Sequence, residues 1–309
     1  MSTVDTKTNA YMSDNAHFAD VFNYFIYGGQ QVIQPENLKE MDRTALTMPF
    51  GNAGGDSEEV QKFRDVLKSA AIKSDESATY LLLGIENQSH IHYAMPVRNM
   101  LYDAISYAGQ VEQAAKYHRG NKDYGSADEF LSGFHKDDGL NPVITLVIYW
   151  APGEWDGASS LHEMLRTDDP RILNLVPDYR MNLLIPDSIQ DFKKFSTELA
   201  EVLEFVKYSK NKVELDQAIN ENPAFQNLDR RSVELINAVT DADIAIPEGK
   251  ETVNMCTAIK EMREESKTEG IAEGQLQMIK NLMETMNWTA SQAMDALKIP
   301  EADRKKYLV

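Results

Sequence analysis

Asp65, Glu86 and Gln88 are the residues whose types and spacing in this chain could support metal-dependent hydrolysis. They lie within KFRDVLKSAAIKSDESATYLLLGIENQSH (62–90), two runs joined by the polar turn Ser74-Asp75-Glu76-Ser77. The second run, Thr79 to Glu86, is short, apolar and rich in Leu, Ile and Tyr, the pattern of a buried strand. Side chains along a strand alternate between faces, so Glu86 and Gln88 point one way and Asn87 the other. His90 joins them if the strand persists. The first run, 63–72, suits a strand or, through Ala70-Ala71 and its lysines, a helix. As a strand closed by the turn Ser74 to Ser77, it sets Lys73 opposite Ala78 and Asp65 opposite Glu86, with Cβ atoms roughly 5 Å apart.

Opposed like charges destabilise a sheet unless a cation lies between them. Mg²⁺ fits that role, because it prefers hard oxygen ligands and uses one or two carboxylates together with waters and substrate phosphate oxygens; Mn²⁺ is the substitute to expect. The alternative for the same residues is a surface hairpin in which Asp65 pairs with Arg64 or Lys68 and Glu86 is solvated.

The stretches RDVLK (64–68), GIENQS (84–89) and MPVRNMLYDAISY (95–107) resemble the Rpn family of recombination-promoting nucleases, transposase-like members of the PD-(D/E)xK nuclease superfamily. AHFADVFNYF (16–25), VITLVIYW (143–150), EWDGASSLHEML (154–165) and FVKYSK (205–210) extend the resemblance over most of residues 16–212. It implies an α/β restriction-endonuclease-like core, a mixed central sheet flanked by helices. It also implies Mg²⁺-dependent DNA endonuclease activity in recombination or element mobility, with Asp65, Glu86 and Gln88 as the catalytic set and Asp65 and Glu86 as the metal ligands. Gln88 stands where the superfamily usually has Lys. An amide lacks the charge that would stabilise a developing phosphorane, so catalysis would lean on the metal and be slow or conditional.

Composition speaks against a strong DNA binder. With 31 Lys and Arg against 49 Asp and Glu, the chain carries a net charge of −18, which repels polyphosphate. Local field matters more than the total. Lys62, Arg64, Lys68 and Lys73 cluster in the first run, and Arg98, Lys116 and Arg119 follow on the next helix, so the expectation is a small basic cleft on an acidic body. Arg64, Lys68 and Arg98 are the candidate phosphate contacts, Arg98 with Tyr102 one turn along. The second function class is therefore a nuclease-fold binding or regulatory module, catalytically weak or inactive, that acts through a protein partner.

The elements that must position these residues follow from periodicity. Residues 1–15 are polar and aperiodic and read as a disordered tail. Phe18, Val21, Phe22, Phe25 and Ile26 predict a helix over 17–27 stopped by Gly28-Gly29, with Asp20 either a distant metal partner or a solvated acid. PFGNAGGDSEE (49–59) reads as a loop. Pro96 opens a helix that runs to about Lys116, the stretch 118–141 reads as a loop with one short helical piece, and VITLVIYW as a central strand. Trp150 and Trp155 shape a corner or stack on a base. A helix is expected over Ser188–Tyr208, and residues 213–309 read as an all-helical C-terminal region, whose final helices suit packing or homodimerisation better than base recognition. The histidines form no HExxH, no phosphate loop, GxGxxG or GxSxG is present, and His90 and His92 are read as solvated. The single Cys256 excludes an internal disulfide and a Cys-based zinc site. With no apolar run of spanning length and no signal segment, the cytoplasm is the expected compartment and no membrane contact is expected.

Overall fold

In the computed structural model, residues 3–41, 65–74, 77–301 and 303–307 are described. Arg64, Lys62 and the 49–59 loop lie outside them. The chain opens on α1 (Thr3–Met12), where the sequence reads as disordered. Its apolar content is too sparse and aperiodic to signal a helix, and a ten-residue helix is marginal alone; tertiary docking orders it. Tyr11 and Met12 are buried, the Tyr11 hydroxyl hydrogen-bonds Ser232 Oγ at 2.9 Å, and its ring stacks on His17 with centroids 3.9 Å apart.

Helix α2 (Asn15–Tyr27) is capped by the Asp14 carboxylate, which accepts from the Ala16 N–H. It ends at Gly28 with φ 63°, the left-handed turn for which glycine is suited. Strands β1 (Leu38–Glu40), β2 (Val66–Ser74) and β3 (Ser77–Gln88) are antiparallel neighbours. The first run is thus a strand, in register with Lys73 opposite Ala78 and Val66 opposite Ile85. Helix α3 (Met95–Asn121) and the short α4 (Ala127–Ser132) carry the chain over to β4 (Val143–Tyr149), which pairs parallel to β3. A parallel pair needs such a crossover. After α5 (Pro170–Leu173), β5 (Asn182–Leu184) joins β4 in parallel. The result is a mixed five-stranded sheet in the order β1-β2-β3-β4-β5, in an α/β fold.

The helix expected over 188–208 forms only as α6 (Leu199–Tyr208). Upstream, the Asp20 carboxylate accepts the backbone N–H groups of Ser196 and Thr197 at 2.8 and 2.9 Å and both their hydroxyls. Donors that a longer helix would use internally are thereby drawn to α2, and Asp20 is a buried acceptor, not a solvated acid, with both carboxylate oxygens engaged by Ser196 and Thr197. Then come α7 (Lys212–Glu221), β6 (Leu228–Asp229), α8 (Arg230–Thr240), β7 (Thr252–Val253), α9 (Met255–Met286) and α10 (Ala290–Ala296). The C-terminal region is therefore not purely helical, since β6 and β7 pair antiparallel.

Period-two alternation divides the sheet. Leu81, Leu83, Ile85, Leu146, Ile148 and Leu184 face Phe18 and Phe22 of α2 and Val202 and Leu203 of α6 in the main core. Leu215, Val233, Ile236 and Met255 belong to that same core, so the first part of the 213–309 stretch is built into it. Ile279, Ala293, Met294 and Ile299 form a separate small cluster. Each fully buried Phe or Leu contributes roughly 1.5–3 kcal/mol. On the opposite face of the sheet, Val147 packs with Met95 of α3. No helix among the described residues is long and apolar enough to cross a membrane.

Candidate active site

Glu86 is two residues from the C-terminal end of β3 and is fully buried. It pairs with Val147 across the sheet, as Gln88 pairs with Tyr149, so both point to the α3 face. One step beyond Val66↔Ile85 brings Asp65, in the bend that leads into β2, beside Glu86. The Asp65 carboxylate accepts from the Asn87 backbone N–H at 2.7 Å and from the Asn9 side-chain amide at 3.3 Å. Burial pushes its carboxyl up from the ordinary range, outweighing those hydrogen bonds and the field of Arg98, which favour the anion.

The cation that these acids require is present as a guanidinium. Arg98, in the first turn of α3, lies 3.1 Å from the Glu86 carboxylate. Burial disfavours its charged form, but Glu86, Tyr102 and Asp65 together hold its pKa above the usual arginine value. Arg98 Nε donates to the Tyr102 hydroxyl at 3.0 Å, and its guanidinium stands 5.5 Å from the centre of that ring. Burial, with Glu86 and Asp65, raises the Tyr102 phenol in turn. The one-turn spacing of Arg98 and Tyr102 does bring them together, with the guanidinium turned onto the buried acid.

Gln88 is half-buried, and its Nε2 donates to the Asn87 carbonyl at 2.9 Å. Asn87, on the other face of β3, accepts from Trp150 Nε1 at 2.7 Å and donates to Asn9 at 2.8 Å. Trp150 is fully buried and so is no platform for a nucleobase. Trp155 instead meets Tyr149 edge to face at 5.5 Å. His90 and His92 are exposed.

Lys68 corrects the expectation of a phosphate contact. It pairs with Leu83, which puts it on the main-core face, opposite to Glu86. Fully buried, its Nζ donates to the Ser13 carbonyl at 2.6 Å and to Asn15 Oδ1, beside the Phe18 ring. The lysine thus clamps the α1–α2 junction. Lys116 is paired with Glu112 at 2.9 Å, and it and Arg119 lie roughly 30 Å along α3 from Arg98 at the ordinary helical rise. The described residues therefore do not assemble these cations into one basic cleft.

Asn9, Asn87 and Asn99 escape a reading by motif. Asn9 reaches the site from 56 residues upstream of Asp65, a separation no local pattern encodes. Asn99 is fully buried one turn beyond Met95, and neither of its amide atoms is hydrogen-bonded, which marks a polar group kept at a cost of about 1–3 kcal/mol. No family model, curated protein or solved structure matches the chain.

Proposed function

We propose that this protein is a Mg²⁺-dependent DNA endonuclease, active also with Mn²⁺, with a restriction-endonuclease-like core. The resemblance to Rpn nucleases supports a role in recombination or element mobility, the want of a spanning or signal segment supports the cytoplasm, and two-fold pairing of copies would suit double-strand cleavage. The observation that carries the reading is the pair of acids at the ends of adjacent strands, Glu86 fully buried and Asp65 partly so, gathered about one guanidinium. Such a cluster is costly unless a cation is always at hand.

Asp65 and Glu86 are the residues that would hold the ion. Bound there, Mg²⁺ supplies Lewis acidity and a water of lowered pKa. Gln88 would orient the attacking water through its amide, and Arg98, whose side chain is 32% exposed, would meet a phosphate oxygen. Asn9 and the Asn87 N–H keep Asp65 in place throughout. The oxygen of the attacking water would bond to phosphorus as the P–O ester bond breaks, its proton passing to solvent while the departing alkoxide oxygen takes one from solvent.

The engagement of Arg98 by Glu86 also favours a second reading, a nuclease-fold regulatory module whose acids are neutralised permanently and whose acidic helical tail recruits a protein partner, in keeping with the net charge of −18. Supercoiled plasmid incubated with wild type, Asp65→Ala and Glu86→Ala, in Mg²⁺ and in EDTA, separates the two. Metal-dependent nicking by wild type alone supports the endonuclease. Equal inactivity of all three supports the module, and cleavage that survives both substitutions refutes the assignment of these acids.

A further inference from the structure

At the far end of α3, roughly 30 Å from Arg98 at 1.5 Å per residue, His118 is buried in the last turn and the 122–141 loop folds back over it. Gly133, with φ 70°, closes α4 where an added Cβ would meet the Ala115 Cβ at 2.7 Å, so the loop backbone sits directly on α3. This close approach delivers His135 and Asp138 to His118. His118 Nε2 lies 3.0 Å from Asp138 Oδ2, the His135 and His118 rings stack with centroids 3.5 Å apart, and the His135 backbone N–H donates to Asp138 at 2.8 Å. One donor atom from each of the three side chains lies within 4.8 Å of the others.

The geometry points to a Zn²⁺ site formed by His118, His135 and Asp138, with water as fourth ligand, that staples the 122–141 loop to α3. Two imidazoles and a carboxylate are a borderline donor set that suits Zn²⁺ and is ill matched to Mg²⁺. The surrounding groups set the ring nitrogens for ligation. His135 Nε2 is 2.6 Å from the Asp123 carbonyl; donating there, it leaves Nδ1 with the lone pair. His118 Nδ1 is buried without a hydrogen bond, with the Asp123 carboxylate 3.6 Å away, close enough to engage it and orient the ring once Nε2 binds metal. The Asp138 carboxylate, 3.0 Å from His118 Nε2, is fixed by the His135 backbone N–H that donates to it, so it is already oriented toward the ring nitrogen it would share a metal with. Tetrahedral ligation sets donor atoms roughly 3.4 Å apart, so no edge of a cluster whose atoms all lie within 4.8 Å of one another has to contract by more than about 1.4 Å. His135 and Asp138 are only partly buried, which leaves a path for entry.

The test uses full-length protein freed of metal by EDTA and buffer exchange, then titrated with Zn²⁺ against a chromogenic chelator, with bound zinc counted by elemental analysis after gel filtration. One equivalent is expected. His135→Ala and Asp138→Asn, both at partly exposed positions and checked for native circular dichroism, should each weaken it about 10–100-fold or more, and His90→Ala should not. Zinc should also protect the 122–141 loop from limited proteolysis in wild type and not in His135→Ala. Absence of zinc binding at millimolar concentration overturns the assignment, as does binding that survives both ligand substitutions. None of these readouts depends on DNA cleavage, so this site and the proposed Mg²⁺ site stand or fall separately.

Discussion

Replacing Arg98 by Ala isolates the physical question at the centre of the acidic pair. At the 3.1 Å separation of Arg98 and Glu86, an effective dielectric constant of about 20 gives an attraction of about 5 kcal/mol. Glu86 is fully buried, but Arg98 keeps a 32% exposed side chain; water screens the pair from one side, and the coupling to expect is about 2–3 kcal/mol. Arg98→Ala strands a buried carboxylate and should cost about 3 kcal/mol, the low end for breaking a buried pair. Glu86→Gln leaves a guanidinium that can reach water, for a loss of about 1–2 kcal/mol. The double mutant should therefore be more stable than the sum of the single losses predicts. Urea unfolding followed by tryptophan fluorescence gives the four stabilities of the cycle. Coupling below about 0.5 kcal/mol, the range of independent sites, would refute the argument that the guanidinium neutralises Glu86. The same variants report on metal. On the proposed function Mg²⁺ would compete with Arg98 for one carboxylate, so Mg²⁺ should raise the unfolding midpoint of Arg98→Ala more than that of wild type, and that of Glu86→Gln not at all. An equal Mg²⁺ shift in all three would show that the ion binds elsewhere.

Asp65 makes a prediction about pH. Its folded carboxyl is raised above the unfolded value by burial, so its neutral form is the one the metal-free fold prefers. That contribution is present below the ordinary carboxylate pKa of 3.8 and is lost as pH rises through the raised value. Melting temperatures of wild type minus Asp65→Asn should fall across that window without metal, and the decline should diminish or reverse in Mg²⁺ if the proposed ion binds the anion; a flat difference under both conditions would refute this. Lys68→Met should lower stability by about 1–3 kcal/mol by leaving the Ser13 carbonyl and Asn15 unsatisfied, and should expose residues 3–12 to protease. If it instead reduces the salt dependence of DNA binding with stability intact, the lysine is a phosphate contact after all.

What the sequence alone determined was local. A turn of fixed length between two runs set the hairpin register, so Lys73 does stand opposite Ala78. Period-two alternation put Glu86 and Gln88 on one face and Asn87 on the other, and the 3.6-residue period with a terminal glycine marked α2. These follow because register, side-chain face and helix stop depend on neighbouring residues.

Only the tertiary structure decided which charges meet. Lys68 and Arg98 are both basic residues near the acids in sequence, yet one turns to the α1–α2 junction and the other to Glu86. Helix α1 is ordered by contacts with residues more than 200 positions away, such as Ser232, and the helix expected from Ser188 begins only at Leu199, beyond the donors that Asp20 engages. His118, His135 and Asp138 carry no metal-binding spacing, since a loop packed through Gly133 brings them together. In each case the partner lies across the fold, and electrostatics acts through distance in space, to which spacing along the chain is a guide only within one strand, turn or helix.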